Sequence, residues 1–175
     1  NMQSIYLAGG CFWCIEAVFL NIKGVDKVIP GYIGGTTKNP TYSQICEGNT
    51  GHAEAIKCIY NEEYIDLEKI LEIFFLIHNP TELNRQGNDV GTQYRSAIFY
   101  TNENQYKIAN NAIKKAQLNW KDKIVTELSN NLNFTKAEEY HHSYYSKNPE
   151  SMYCNILIPP KIKKFKESFP NFFKK

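Results

Sequence analysis

The segment from Ser4 to Ile33 limits the fold more than any other part of the chain. Ser4–Ala8 reads as a short strand ending in Gly9-Gly10-Cys11. Trp13–Asn21 then has helical spacing through Ala17, Val18, Phe19 and Leu20, and Val25–Ile33 reads as a second strand. Strand, helix and strand in that order call for a sheet with a helix on its face. Further along, Gly34–Gly51 is a loop rich in Gly, Thr, Asn and Pro. Ala53–Tyr60 alternates, with Glu54, Ile56, Cys58 and Tyr60 on one face and Ala55, Lys57 and Ile59 on the other. Asp66 caps a predicted helix to Ile77 whose buried stripe is Leu67, Ile70, Leu71 and Phe74, and His78-Asn79-Pro80 stops it.

The pattern then repeats its mixture. Asn84–Tyr94 has the composition of a structured loop, Arg95–Tyr100 reads as a strand, and Thr101 or Asn102 caps a helix to about Trp120. Ile124–Leu128 is a further strand, Thr135-Lys136-Ala137-Glu138 has the form of a capping box opening a helix to about Tyr145, and Pro159–Phe169 reads as a last short helix. Without repeats or linkers, residues 1–175 are expected to form one α+β domain, a mixed sheet with flanking helices around a split βαβ, ferredoxin-like core.

Composition narrows the class. With 42% hydrophobic and 14% aromatic residues, the 175-residue chain has ample core material, which excludes disordered, collagen-like and coiled-coil classes. A net charge of +2 gives no general reason to expect nucleic acid, although residues 161–175 carry six Lys against one Glu. That basic end, part of a C-terminal helix and tail over 159–175, reads as a solvated amphipathic face. Asn1 before Met2 has the look of a cloning remnant. No basic leader and no apolar run near the roughly 20 residues of a membrane span are visible, so a cytoplasmic monomer away from membranes is expected. Five cysteines cannot all pair, and in a reducing compartment a close pair points to catalysis or metal rather than stapling.

Gly9-Gly10-Cys11-Phe12-Trp13-Cys14 carries the chemistry. It sets Cys11 at a strand-to-helix junction, where unpaired N–H groups and the helix dipole favour a thiolate, with Cys14 one turn on. The paired glycines would let a substrate approach the backbone closely. Two buried cysteines in an aromatic core, or a thioredoxin-like C-x-x-C, fit the spacing as well; zinc lacks a second C-x-x-C. The histidines show no ligand spacing: His141 and His142 diverge on a helix, and His52 and His78 lie far off. No metal site is expected. Glu54, on an otherwise apolar strand face, is either a buried carboxyl with a raised pKa, as a general acid requires, or an edge-strand group reaching solvent. Arg85 and Arg95 are the only two arginines against 18 lysines, and both lie in or beside the polar segment Asn84–Ser96, which has the side chains of a site-building loop.

Gly-Gly-Cys11-Phe12-Trp13-Cys14-Ile15-Glu16, Asn39-Pro40-Thr41-Tyr42, Gly51-His52-Ala53-Glu54, Gly87-Asn88-Asp89-Val90-Gly91-Thr92-Gln93-Tyr94-Arg95-Ser96 and Ala137–His142 followed by Lys147-Asn148-Pro149 resemble, in order, the motifs of the A-type peptide methionine sulfoxide reductases. The resemblance implies thiol-dependent reduction of methionine sulfoxide, free or in proteins and expected for the S epimer, as part of protein repair. It implies Cys11 as the nucleophile on the sulfoxide sulfur, Glu54 as the acid protonating the oxygen, and Tyr42 and Tyr94 as hydroxyl donors to it. Phe12 and Trp13 would hold the S-methyl group, and Asp89 would orient the polar network. A sulfenic acid on Cys11 would condense with a second thiol, and thioredoxin or another dithiol would reset the disulfide, with no bound cofactor.

Cys14 stands where the commoner family pattern has glycine, and Cys154 stands where many members carry a C-terminal resolving cysteine. Cys14 is local to Cys11, whereas Ile156–Pro160 stiffens the surroundings of Cys154, so both are resolving candidates with Cys14 slightly favoured. Cys46 and Cys58 are expected to pack as small hydrophobes. A disulfide oxidoreductase built on Cys11 and Cys14 would leave Glu54, Tyr42 and the Asn84–Ser96 loop without a task. A module that merely binds oxidised methionine peptides would need no recycling thiol.

Overall fold

A computed structural model of the protein describes residues 1–174. Its elements are β1 (Met2–Ala8), α1 (Phe12–Phe19), β2 (Val25–Ile33), α2 (Tyr42–Glu47), β3 (Ala53–Asn61), α3 (Leu67–Leu76), β4 (Arg85–Gln86), β5 (Asp89–Val90), β6 (Ala97–Phe99), α4 (Glu103–Gln117), β7 (Glu127–Ser129), β8 (Phe134–Lys136), α5 (Tyr144–Lys147) and α6 (Met152–Ser168). The main sheet runs β7-β6-β1-β3-β2-β8. β3 lies antiparallel between β1 and β2, so α1 connects two parallel strands split by a third. β3 and β6 flank β1 in the same way through α3, which completes the predicted split βαβ core. β8 adds an antiparallel edge on β2, and β7 a parallel one on β6.

Alternation along the strands divides the interior. Ile5, Leu7, Ile56, Cys58 and Tyr60 meet α1, α3 and α4 in the main core, with Phe19, Ile70, Phe74 and Phe165 fully buried there. Each such side chain contributes about 1.5–3 kcal/mol of transfer free energy. The other face is built from small residues, Ala8, Ala53, Ala55 and Ala97 with Ile33 and Phe99, and is covered by Tyr6 and Phe134. α3 starts where the sequence predicts: the Asp66 side chain accepts the Lys69 N–H at 2.8 Å.

Three segments depart from the sequence reading. Thr135-Lys136-Ala137-Glu138 opens no helix; Phe134–Lys136 pairs with Gly31–Ile33 of β2, whose open edge takes up the backbone groups. A short turn and the four-residue α5 follow. The last helix begins at Met152 rather than Pro159: the Ser151 side chain caps it at the Cys154 N–H, and the helix continues through Pro159 and Pro160. Both prolines lie on its exposed face, where water satisfies the carbonyls their missing N–H groups leave free. The Gly34–Gly51 loop contains α2, closed by a capping box on Thr41 and Gln44.

Candidate active site

Cys11 is the N-cap of α1, in extended conformation, and its side chain makes no capping bond. The junction needs glycine for reasons other than substrate approach. A side chain on Gly9 would meet the His78 ring at 3.0 Å, and Gly10 has φ +89° with the Gln86 side chain 2.8 Å from the position a Cβ would occupy. The Gln86 amide in turn braces Asn79 through two hydrogen bonds, which fixes the β4–β5 hairpin against the cysteine turn.

Glu54, the second residue of β3, faces α1 and is 1% exposed. One carboxyl oxygen accepts the Phe12 N–H, an otherwise unpaired donor of the first turn, at 3.1 Å. Burial pushes its pKa up to about 8 against the opposing pull of that bond, with Asp89 and Cys14 adding to the rise. Of the two sequence readings of Glu54, the buried carboxyl holds, and it is protonated at neutral pH.

The two thiols are unlike. Burial raises the Cys11 pKa well above the ordinary thiol range, reinforced by its hydrogen bond to Cys14 and by Glu54. Burial thus acts against the helix dipole that favours a thiolate at this junction. Cys14 is lowered by that same bond from Cys11, against burial and with help from the Lys161 ammonium. Both line a cleft of about 310 Å³ with Gly9, Gln86–Asp89 and, from α6, Tyr153 and Lys161. Cys154 belongs to the same buried cluster but is held in the first turn of α6 with its side chain fully enclosed. Cys58 is buried as expected; Cys46 is exposed on α2, contrary to the packing expectation, because the short helix turns that position to solvent.

Tyr42 and Tyr94 both feel the Glu54 carboxyl: their pKa values are raised by burial first and then by Glu54, with Cys11 contributing to both. Tyr42 is fixed by Glu138, whose carboxylate accepts the Tyr42 N–H at 2.8 Å and the Tyr32 hydroxyl at 2.7 Å. Partial burial pushes Glu138 up, but these bonds hold it below the usual carboxylate range. Arg95 binds Glu127, the Thr92 carbonyl and the Gly51 carbonyl, a fork that fastens the turn carrying Tyr94 to the loop before β3. Phe12 is enclosed 5.7 Å from the Tyr32 ring, and Trp13 stacks on Tyr144 at 3.7 Å. Buried Glu16 accepts the Ser143 and Tyr144 N–H groups, which sets Tyr144 in place.

Two participants lie outside the sequence reading. The Tyr153 hydroxyl donates to the Asp89 carboxylate over the cleft. His141, read as structural, accepts the Trp13 indole N–H at 3.1 Å through Nδ1, so Nε2 carries the proton, and that buried N–H has no partner among the described residues. It belongs to an aromatic basin with Trp13, Tyr42, Tyr140 and Tyr144, and Lys147 and Asn148 complete the rim. His52 and His78 are structural: His52 joins Gly35 and Thr37, and His78 joins Phe74 and Ser96.

This arrangement can deliver a proton from a buried acid to an oxygen held over a thiol, then pass oxidation to a neighbouring thiol. The comparisons point the same way. The family model for peptide methionine sulfoxide reductase matches residues 3–172. A peptide methionine sulfoxide reductase MsrA of Pasteurella multocida is 52% identical over 172 residues, covering 98% of this chain and 99% of its own. Reduced Mxr1 from Saccharomyces cerevisiae superposes with a TM-score of 0.83 at 34% identity, covering 86% of this chain and 88% of its own. The same yeast protein in complex with Trx2 gives 0.60 at 25% identity, covering 82% and 85%. The chain belongs to the peptide methionine sulfoxide reductase family.

Proposed function

We propose that the protein reduces methionine sulfoxide, of the S configuration and free or within proteins, to methionine, with Cys11 as nucleophile and Cys14 as resolving thiol. The observation that carries this is Glu54: a carboxyl kept protonated by burial, pinned to the first turn of α1 beside Cys11. The Glu54 proton goes to the sulfoxide oxygen, which makes the sulfur electrophilic, while the Tyr42 and Tyr94 hydroxyls donate hydrogen bonds to that oxygen. Trp13 offers the apolar wall for the S-methyl group, while Phe12, expected to share that wall, is fully buried in the cluster Trp13 packs against and supports it from behind; Asp89 orients Tyr153 at the cleft. The Cys11 sulfur attacks the sulfoxide sulfur as its thiol proton passes to the Glu54 carboxylate; in the resulting adduct the oxygen moves from the substrate sulfur to the Cys11 sulfur as the bond between the two sulfurs breaks, which releases methionine and leaves Cys11 as a sulfenic acid. Cys14, one turn along α1, then attacks the Cys11 sulfur, a disulfide forms and water leaves. Cys154 stays enclosed in α6, which favours Cys14 over it. Two electrons from an external dithiol restore the pair without a prosthetic group, and the yeast relative solved with Trx2 favours thioredoxin as that dithiol.

Reduced protein incubated with a methionine sulfoxide peptide and a dithiol is expected to release many equivalents of methionine, and Cys11→Ser none. Release limited to zero in the unaltered protein, or undiminished in Cys11→Ser, refutes the reading.

A further inference from the structure

Lys161 is a half-buried base that the catalytic steps leave without a task. It lies on α6 directly after Pro159-Pro160, and it is the one cation among the described residues that line the cleft of Cys11 and Cys14. Its ammonium donates to the Ile77 carbonyl at 2.6 Å, at the C-cap of α3, which uses one of its three N–H donors and fixes the charge at the cleft. Holding that end of α3 needs a donor but no charge. The titratable groups around Cys14 are Cys11, with which it shares a hydrogen bond, Glu54 of β3, Asp89 of β5, and Tyr153, Cys154 and Lys161 of α6. Glu54 is kept protonated by burial, and the Asp89 carboxylate accepts the Tyr153 hydroxyl, so Lys161 supplies the positive charge of this group. His78, next to Ile77, is held neutral by burial.

We propose that the Lys161 ammonium is the electrostatic partner of Cys14, holding it as a thiolate for the attack that converts the Cys11 sulfenic acid to a disulfide. The proposal rests on the reading of Cys14 as the resolving thiol. That step needs an anion. The Cys14 thiolate attacks the Cys11 sulfur, the S–S bond forms as the S–O bond breaks, and the departing oxygen takes up the proton that Cys14 gave up and leaves as water. Burial in the cleft opposes a lone thiolate, and a cation fixed in the same cleft offsets that cost. The support is mutual: burial lowers the Lys161 pKa, and Cys14 acts against that fall. Lys161 thus acts on the reaction through Cys14, as a positioning residue.

The test is the rate of disulfide formation in a single turnover without reductant, across the pH range in which thiols titrate. Samples quenched with acid are read by intact mass, where loss of one water from the sulfenic acid marks the step. Lys161→Gln keeps a donor for the Ile77 carbonyl and removes the charge, Lys161→Met removes both, and Lys161→Arg keeps both. In Lys161→Gln and Lys161→Met the pH profile should move up by about one unit. A less acidic thiolate is the better nucleophile, with a Brønsted slope of about 0.4–0.5, so disulfide formation should be about threefold slower on the acid limb and about threefold faster on the plateau. The profiles therefore cross, which damage to α3 or to the cysteine turn would not produce, and Lys161→Arg should follow the unaltered protein. An unshifted profile in an uncharged variant, or a loss of the same size at every pH, overturns the proposal. A sulfenic acid that persists in the unaltered protein, or a disulfide from Cys11 to Cys154, would instead overturn the reading of Cys14 beneath it.

Discussion

Replacing Glu54 by Gln separates the cost of a buried acid from its use. In the unfolded chain the carboxyl titrates near 4.5, and in the folded protein at about 8. Between those values the folded state holds a proton that the unfolded state has released, so this group's contribution to stability falls as pH rises. The slope is about 1.4 kcal/mol per pH unit, which amounts to about 5 kcal/mol by pH 8 and about 3 kcal/mol at pH 7. Gln keeps the shape and the acceptor for the Phe12 N–H but cannot ionise, and its unpaired amide adds a cost that does not vary with pH. The stability of Glu54→Gln relative to the unaltered protein should therefore climb by about 1.4 kcal/mol per unit from about pH 4.5 to about 8 and then level off. His78, held neutral by burial down to about 4, bends the acid limb of both proteins alike, so the difference isolates Glu54. Urea unfolding followed by tryptophan fluorescence at a series of pH values reads it. The same variant should lose about 10²–10⁴-fold in the rate of methionine formation. Parallel stability curves, with no growth of the difference between pH 5 and 8, would show that Glu54 titrates as an ordinary carboxyl and would refute the reasoning.

Tyr42→Phe and Tyr94→Phe should each slow single-turnover methionine formation by about tenfold to a hundredfold, and the double variant more than either; an unaffected double variant removes both hydroxyls from the oxygen site. Gly10→Ala should cost about 2 kcal/mol in urea unfolding, from its left-handed φ and the contact with Gln86, whereas Gly87→Ala, with φ +57° and open space around it, should cost about 1 kcal/mol or less. Equal losses at the two sites would show that the Gln86 contact is not what fixes the cysteine turn.

What the sequence reveals depends on how local the cause is. β2 has the bounds its pattern predicts because it pairs with β3 along its length and buries Pro30–Ile33, and α3 starts at Asp66 because a cap is a three-residue interaction. Cys11 and Glu54 are visible as a cysteine at a strand-to-helix turn and a carboxylate on an apolar face. Thr135–Glu138 misleads because its local pattern favours a helix while the open edge of β2, a long way off in sequence, takes it as a strand. Pro159-Pro160 resembles a helix start, yet Ser151 supplies the stronger cap upstream. His141 and Tyr153 have no local signal at all. Their roles come from partners 128 and 64 residues away, Trp13 and Asp89, and exist only once the sheet has brought the ends of the chain together.

The most direct test of the account is peptide mass mapping of the protein after one turnover with a methionine sulfoxide peptide and no reductant. The structure holds Cys11 and Cys14 in one turn with Cys154 enclosed in α6, so a Cys11–Cys14 disulfide is predicted, with Cys46, Cys58 and Cys154 recovered as thiols. In Cys14→Ser one equivalent of methionine should still form and Cys11 should carry a sulfenic acid. A Cys11–Cys154 disulfide in the unaltered protein would contradict Cys14 as the resolving thiol, and an unmodified Cys11 after methionine release would contradict the central claim itself.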